Sequence, residues 1–135
     1  MLVSLTEITA ILNTCKTIAV VGLSPKENRP SNDVARYLIA AGFTVIPVNP
    51  GQTEILGKKC YPNLTAIPVP VDLVNIFRRS EDVGPVVDEA IAIQAKTIWM
   101  QQGITNATAA TKAKNAGLQV IMDRCIKVDH ASLSR

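Results

Sequence analysis

The residues best placed to do chemistry cluster between Gly22 and Asn32, where Gly22, Ser24, Lys26, Arg29 and Ser31 follow one another closely. They come straight after Thr17-Ile18-Ala19-Val20-Val21, a short apolar run dominated by β-branched residues. Such a run reads as a strand buried on both faces of a parallel sheet. After the cluster, Asn32-Asp33-Val34-Ala35-Arg36-Tyr37-Leu38-Ile39 turns helical. Strand, glycine turn and helix start together form an anion pocket. The glycine lets a ligand approach the backbone, and the helix start offers unpaired N–H groups and a partial positive charge. Hydroxyls and cations beside that point suit phosphate oxygens. The chemistry indicated is capture of the phosphates of a nucleotide-containing ligand. A solvated turn is the simpler reading for Lys26 and Glu27. For Gly22 and Ser24 the position at a strand tip favours binding, and Gly22→Val is expected to abolish it while leaving the fold intact.

Known fingerprints do not fit this loop. A dinucleotide motif needs G-x-G-x-x-G and an acid at the end of the second strand. Here Gly22-Leu23-Ser24-Pro25-Lys26-Glu27 lacks the second and third glycines, and the second strand ends in Asn49. No Gly-Lys-Ser/Thr closes the loop as in a P-loop. A catalytic constellation is also missing. His130 is the only histidine and sits in a polar tail. Asp72 and Asp123 do not form an evident acid/base pair. Cys125 stands beside Arg124, which lowers a thiol pKa, and Asp123, which opposes that, so a packed thiol is the better reading.

The surrounding elements must bring the other candidates to this loop. A capping-box pattern at Ser4 and Glu7 predicts a helix to about Asn13. Strands are expected at Thr17 to Val21, Phe43 to Val48, Val71 to Phe77, Thr97 to Met100 and Leu118 to Met122. Helices are expected over Asn32 to Ala41, Val83 to Ala95, Asn106 to Ala116 and Asp129 to Leu133. A brief strand near Lys59 and Cys60 and a helical turn at Asn63 to Ile67 fill the excursion between the second and third main strands. Pro47 must lie near a strand end or at an unpaired position. The alternation predicts an α/β fold: a three-layer, Rossmann-like, doubly wound parallel sheet of about five strands with helices on both faces, one domain over 1–135. Right-handed crossovers put all the strand tips on one edge, where such sheets bind ligands. The tips carry Gly22, Leu23 and Ser24; Val48, Asn49 and Pro50; Phe77, Arg78 and Arg79; Gln102 and Gly103; and Asp123 with Arg124. Arg78 or Arg79 can reach an anion, the Phe77 ring either caps the core or lies on a base, and Trp99 belongs to the core.

Composition narrows the classes further. The 135 residues are 47% hydrophobic, enough for a core, but only 4% aromatic, so Val, Ile, Leu and Ala must fill it. A net charge of +3 is too small and too evenly spread to indicate nucleic acid. Cys15, Cys60 and Cys125 are far apart and odd in number, against a disulfide framework or a zinc site. Neither a signal peptide nor an apolar run of membrane-spanning length is recognisable, so a cytoplasmic protein that contacts no membrane is expected.

Taken jointly, several motifs resemble the small stand-alone CoA-binding domain family. They are Val20-Val21-Gly22-Leu23-Ser24-Pro25 with Arg29-Pro30-Ser31-Asn32, Ile46-Pro47-Val48-Asn49-Pro50, Ile55-Leu56-Gly57, Val71-Asp72-Leu73-Val74 through Phe77-Arg78-Arg79, Trp99-Met100-Gln101-Gln102-Gly103-Ile104 and Asp123-Arg124-Cys125. That family is similar to the N-terminal domain of the succinyl-CoA synthetase alpha subunit. The resemblance implies coenzyme A (or acyl-CoA) as the ligand, on the strand-tip edge. Gly22, Ser24 and the Arg29, Ser31, Asn32 segment would then contact phosphates; Val48, Asn49 and Pro50 would flank the nucleotide; Phe77 and Arg78 would close the other side. The synthetase's phosphorylated histidine lies in a following domain, and His130 does not stand in for it. The expectation is therefore a small-molecule CoA ligand bound without catalysis, with no protein partner indicated. An NAD(P)-type nucleotide-sensing module, an acyl-transfer enzyme using Cys125 or bound CoA, and an interaction module with a vestigial pocket are the alternatives.

Overall fold

The computed structural model describes residues 3–133. Helix α1 (Leu5–Thr14) opens on the expected cap, with the Glu7 N–H donating to Ser4 Oγ at 3.1 Å. Strand β1 (Thr17–Val21) is almost wholly buried, as its apolar composition requires. Helix α2 covers Pro30–Ala40. It starts before the expected Asn32 because proline, with no N–H and a fixed φ, suits the first helical position. Strand β2 is Thr44–Val48. A hairpin of β3 (Glu54–Ile55) and β4 (Lys58–Lys59) follows, turning through Leu56 and Gly57, both with positive φ. A 3-10 turn at Leu64–Ala66 leads to β5 (Leu73–Ile76). Then come a 3-10 turn at Ser80–Asp82, α3 (Val83–Ala92), β6 (Thr97–Met100), α4 (Ala107–Asn115), β7 (Gln119–Ile121) and α5 (Ile126–Leu133). The expected strand at Lys59 and Cys60 is thus one arm of the small hairpin. The last helix begins at Ile126 rather than Asp129, a difference that matters for the site.

Five strands pair in parallel in the order β2-β1-β5-β6-β7. Successive strands go to opposite sides of β1, so the chain reverses direction across the sheet between β1 and β5. Val20 stands between Pro47 of β2 and Asn75 of β5 in the register. Pro47 is tolerated because β2 is an edge strand, where a missing N–H breaks no ladder. Tyr61 covers that edge, its N–H donating to Pro47 O at 3.0 Å.

Alternation divides the strand side chains between two cores. Val21, Val48, Val74, Ile76, Ile98 and Met100 face α3, α4 and the Leu64 turn. Ile18, Val20, Leu73, Trp99 and Ile121 face α1, α2 and α5. Trp99 is fully buried, and its indole N–H donates to Arg124 O at 2.8 Å. The architecture is the expected doubly wound α/β sandwich. Among the described residues no helix is long and apolar enough to cross a membrane.

Candidate functional site

The strand tips at the reversal point are locked by backbone bonds. Gly22 N–H donates to Val48 O at 2.9 Å, and Phe77 N–H to Val21 O at 2.8 Å. Gly22 has φ +85°, and a Cβ there would collide with the Phe77 carbonyl, coming within 3.0 Å of its carbon. This corrects the expectation for Gly22→Val: the glycine is required by the packing of two strand tips, so the valine would disturb the fold as well as any ligand.

The loop from Leu23 to Ser31 is stitched by polar side chains. Ser24 N–H donates to Ser31 Oγ at 3.0 Å, and Asn32 Nδ2 donates to Ser24 O at 2.9 Å. Ser24 Oγ accepts from Lys26 N–H at 3.1 Å. Asn49 Nδ2 reaches across from the tip of β2 to Leu23 O at 3.0 Å, while its Oδ1 accepts from Gly51 N–H at 2.8 Å. Arg36 anchors the far side, Nε donating to Asn32 Oδ1 at 2.9 Å and a terminal nitrogen to Glu27 O at 3.1 Å. Ser31 and Asn32 are buried by this work. The candidate residues here therefore include several with a structural task. Ser31, Asn32 and Asn49 build the loop, and Leu23 and Val48 bury their side chains in the two cores.

What faces outward is a smaller set. Arg29 precedes α2 without capping it. The Asn32 and Asp33 N–H groups both turn back to Arg29 O at 3.1 Å, which leaves the Ser31 N–H as the open donor of that helix start among the described residues. Arg29 and Arg78 form no ion pair among those residues, whereas Arg79 is committed to Asp82 at 3.0 Å and to Glu81 at 3.8 Å. The bond to Asp82, then the nearby carboxylate charges, raise the Arg79 pKa. Of the two arginines expected to reach an anion, Arg78 is the one without an ion pair among the described residues. Pro50, Gln102 and Gly103 are exposed; the Gly103 N–H is held by Asp123 Oδ1 at 2.6 Å. Asp72 lies at the opposite edge of the sheet, accepting from the Lys16 and Thr17 N–H groups at 3.0 and 2.9 Å, so the two aspartates cannot act together.

Beside the loop a cavity of about 590 Å³ opens between α2 and α5. Pro30, Asp33 and Val34 line it from α2, Phe77 from the tip of β5, Gln101, Gln102 and Ile104 from beyond β6, and Cys125, Lys127 and Val128 from α5 and its approach. Of the sequence candidates, Phe77 and Gln102 belong to this wall. Gln101, Cys125, Lys127 and Val34 were not expected there. Starting the last helix at Asp129 left Cys125 and Lys127 in a loop, whereas the helix that begins at Ile126 packs on α2. Lys127 Nζ donates to Asp33 Oδ2 at 2.8 Å. That hydrogen bond first, and the charge of Lys127 and Arg36 besides, hold the Asp33 carboxyl below the usual range despite some desolvation. Arg124 is turned from Cys125 to Asp129 in a two-pronged pair at 2.7 and 2.9 Å. His130 packs edge-on against Tyr37 and Phe43 and its Nδ1 lies 2.7 Å from the Tyr37 hydroxyl. Among the described residues no cluster of His, Cys, Asp or Glu could hold a metal, and all three cysteines are free.

These features define a class: a doubly wound parallel-sheet protein whose first loop and second helix present cations, a hydroxyl and a helix start at the reversal point, next to a half-apolar cavity. The chain belongs to the CoA binding domain family, whose model matches residues 16–131. It is 46% identical over 125 residues to the uncharacterized protein YneT of Bacillus subtilis, covering 93% of each chain. A hypothetical protein from Pyrococcus horikoshii superposes with a TM-score of 0.96 at 38% identity, over 98% of this chain and 94% of that one. Acetate–CoA ligase (ADP-forming) I of Archaeoglobus fulgidus is 40% identical over 74 residues, 55% of this chain but only 11% of the ligase. The resemblance drawn from the motifs is thereby borne out.

Proposed function

We propose that this chain binds coenzyme A or an acyl-CoA at the C-terminal edge of its sheet, and that its role is capture and release of the ligand rather than turnover. The observation that carries the reading is the division of labour in the β1–α2 loop. Ser31, Asn32 and Asn49 spend their hydrogen bonds fixing the loop's shape. Ser24 Oγ, the Ser31 N–H, Arg29 and Arg78 are left to meet a phosphate. A rigid loop loses little entropy on binding, so a few donors suffice. In the loop the N–H groups of Ser24, Lys26 and Arg29 are already engaged, while those of Leu23, Glu27, Asn28 and Ser31 have no acceptor among the described residues, so backbone amides and side-chain cations can share the holding. The cavity beside the loop offers room for the rest of a long ligand. Asn49, with both ends of its amide committed, supplies no carboxylate for a ribose diol, which weighs against an NAD-type ligand.

Calorimetric titration with CoA, acetyl-CoA, NAD and ATP tests the reading. CoA compounds are expected to bind most tightly. Arg78→Ala should weaken CoA roughly tenfold, the scale of one charge-assisted contact, and Arg79→Ala should leave it unchanged. Tighter binding of NAD than of either CoA compound would replace this reading with the dinucleotide one.

A further inference from the structure

Beneath the cavity lies a buried pair of amides. Asn75 sits in the middle of β5 between Val20 and Trp99 and is fully buried on the α1–α2–α5 side. Its Nδ2 donates to Gln101 Oε1 at 3.1 Å. The Ile126 N–H, at the start of α5, approaches the same oxygen at 3.4 Å. A backbone N–H can only donate, so the oxygen of the Gln101 amide must face inward, and the nitrogen is thereby turned the other way. Gln101 is itself 6% exposed and contributes to the cavity wall, and its Nε2 takes no acceptor among the described residues. A neutral donor at the cavity surface, held by two anchors on its far end, is an aimed group. Its neighbours in the wall include Phe77, Ile104 and Val34, and the two charges there, Asp33 and Lys127, pair with each other, an environment that suits a neutral carbonyl on a mostly apolar chain.

We infer that this cavity seats the extended arm of the ligand, and that Gln101 Nε2 donates to a carbonyl on that arm, with Asn75 as a positioning residue acting through Gln101. This rests on the CoA reading and adds to it a specificity-determining contact outside the phosphate loop. Amide carbonyls occur in the arm of every CoA compound, and a thioester carbonyl only in acylated ones; both are the same chemistry to Gln101. The site would penalise a ligand whose arm lacks the acceptor, because that arm would cover the donor and leave it unpaired.

The test is calorimetric titration of wild type and Gln101→Glu with adenosine bisphosphate, which lacks the arm, and with CoA and acetyl-CoA, at mildly alkaline pH. The glutamate keeps an oxygen for Asn75 and Ile126 and replaces the donor by an acceptor. CoA affinity should fall about tenfold or more, while adenosine bisphosphate keeps its wild-type affinity. Loss with CoA and acetyl-CoA alike assigns the contact to an amide carbonyl; loss with acetyl-CoA alone assigns it to the thioester. Gln101→Met, checked for native circular dichroism, should repeat the arm-specific loss if the glutamate variant does not fold. Equal loss on all ligands, or none on any, would overturn the inference. Wild-type CoA binding no tighter than that of adenosine bisphosphate overturns it too but leaves the phosphate site standing, whereas no binding of either ligand removes the CoA reading itself.

Discussion

Asn75→Leu is expected to leave the protein as stable as the wild type or more so, although it removes a fully buried polar residue from the middle of the sheet. The reasoning starts from the other end of the Asn75 amide. Its Oδ1 is buried and has no hydrogen-bond partner, and an uncompensated carbonyl in that state costs about 1–3 kcal/mol. The one bond the side chain makes, to Gln101, contributes about 0.5–1.5 kcal/mol. Gln101 Oε1 retains the Ile126 N–H after the substitution, so no new orphan is created. Leucine has the heavy-atom count and branching of asparagine with bulkier ends, so the site must relax slightly to take it, and its neighbours across the sheet, Val20 and Trp99, are apolar. The balance runs from about 0.5 kcal/mol against the variant to about 2.5 kcal/mol in its favour, and its middle is a rise of a few degrees in Tm, at roughly 3 °C per kcal/mol for a chain of this size. Urea unfolding of both proteins, with the midpoint and the slope fitted separately, measures it. A loss of more than about 2 kcal/mol would refute the reasoning, because Oδ1 would then have to own a strong partner such as a buried water. The same variant should lose discrimination for the arm of CoA, since Gln101 is no longer held from behind. Stability gained and selectivity lost together would mark Asn75 as a residue kept for binding.

The other expectations concern single residues. Gly22→Ala should destabilise by about 2 kcal/mol or more in urea unfolding, because a side chain at positive φ that also meets a carbonyl has no relaxed position. Asp72→Asn should be less stable than wild type at neutral pH. Desolvation pulls the Asp72 pKa up, but the Thr17 and Lys16 N–H groups and Lys96 outweigh it and the net shift is down. A depressed carboxyl contributes stability above its unfolded pKa and loses it as pH falls through the folded one. The deficit of the variant should therefore vanish in acid, which chemical unfolding across a pH series would show. Iodoacetamide at mildly alkaline pH should modify Cys125, on the cavity wall, before Cys15, whose thiol burial and the Asp72 charge push up to about 12. CoA should slow the reaction at Cys125, as read by mass spectrometry of the alkylated peptides.

Where the sequence was informative, a local signal and the tertiary structure asked for the same residue. β1 and β6 begin and end where they were expected to, because burial on both faces selects an apolar, β-branched run. Gly22 was likewise readable as punctuation, whereas Pro30 sets the start of α2 earlier than the polar Asn32 suggested. The strand order β2-β1-β5-β6-β7 was not legible, since nothing in one strand names its neighbour. The candidate site shows the same division. Polar residues at a strand tip can serve the ligand or the loop, and sequence position does not separate them: Ser24 and Ser31 look alike, yet Ser31 is buried as a staple and Ser24 lies at the surface of the loop. Residue type does not separate Gln101 from Gln102, since both are neutral amides just past the same strand. The clue was parity. Gln101 shares the face of Trp99, which looks toward α2 and α5, and an amide on that otherwise apolar face has to find partners. Asn75, one strand over on the same face, answers it. Two buried amides at such positions cost stability at each end, and the fold can carry that cost where the free end of the pair points at a ligand.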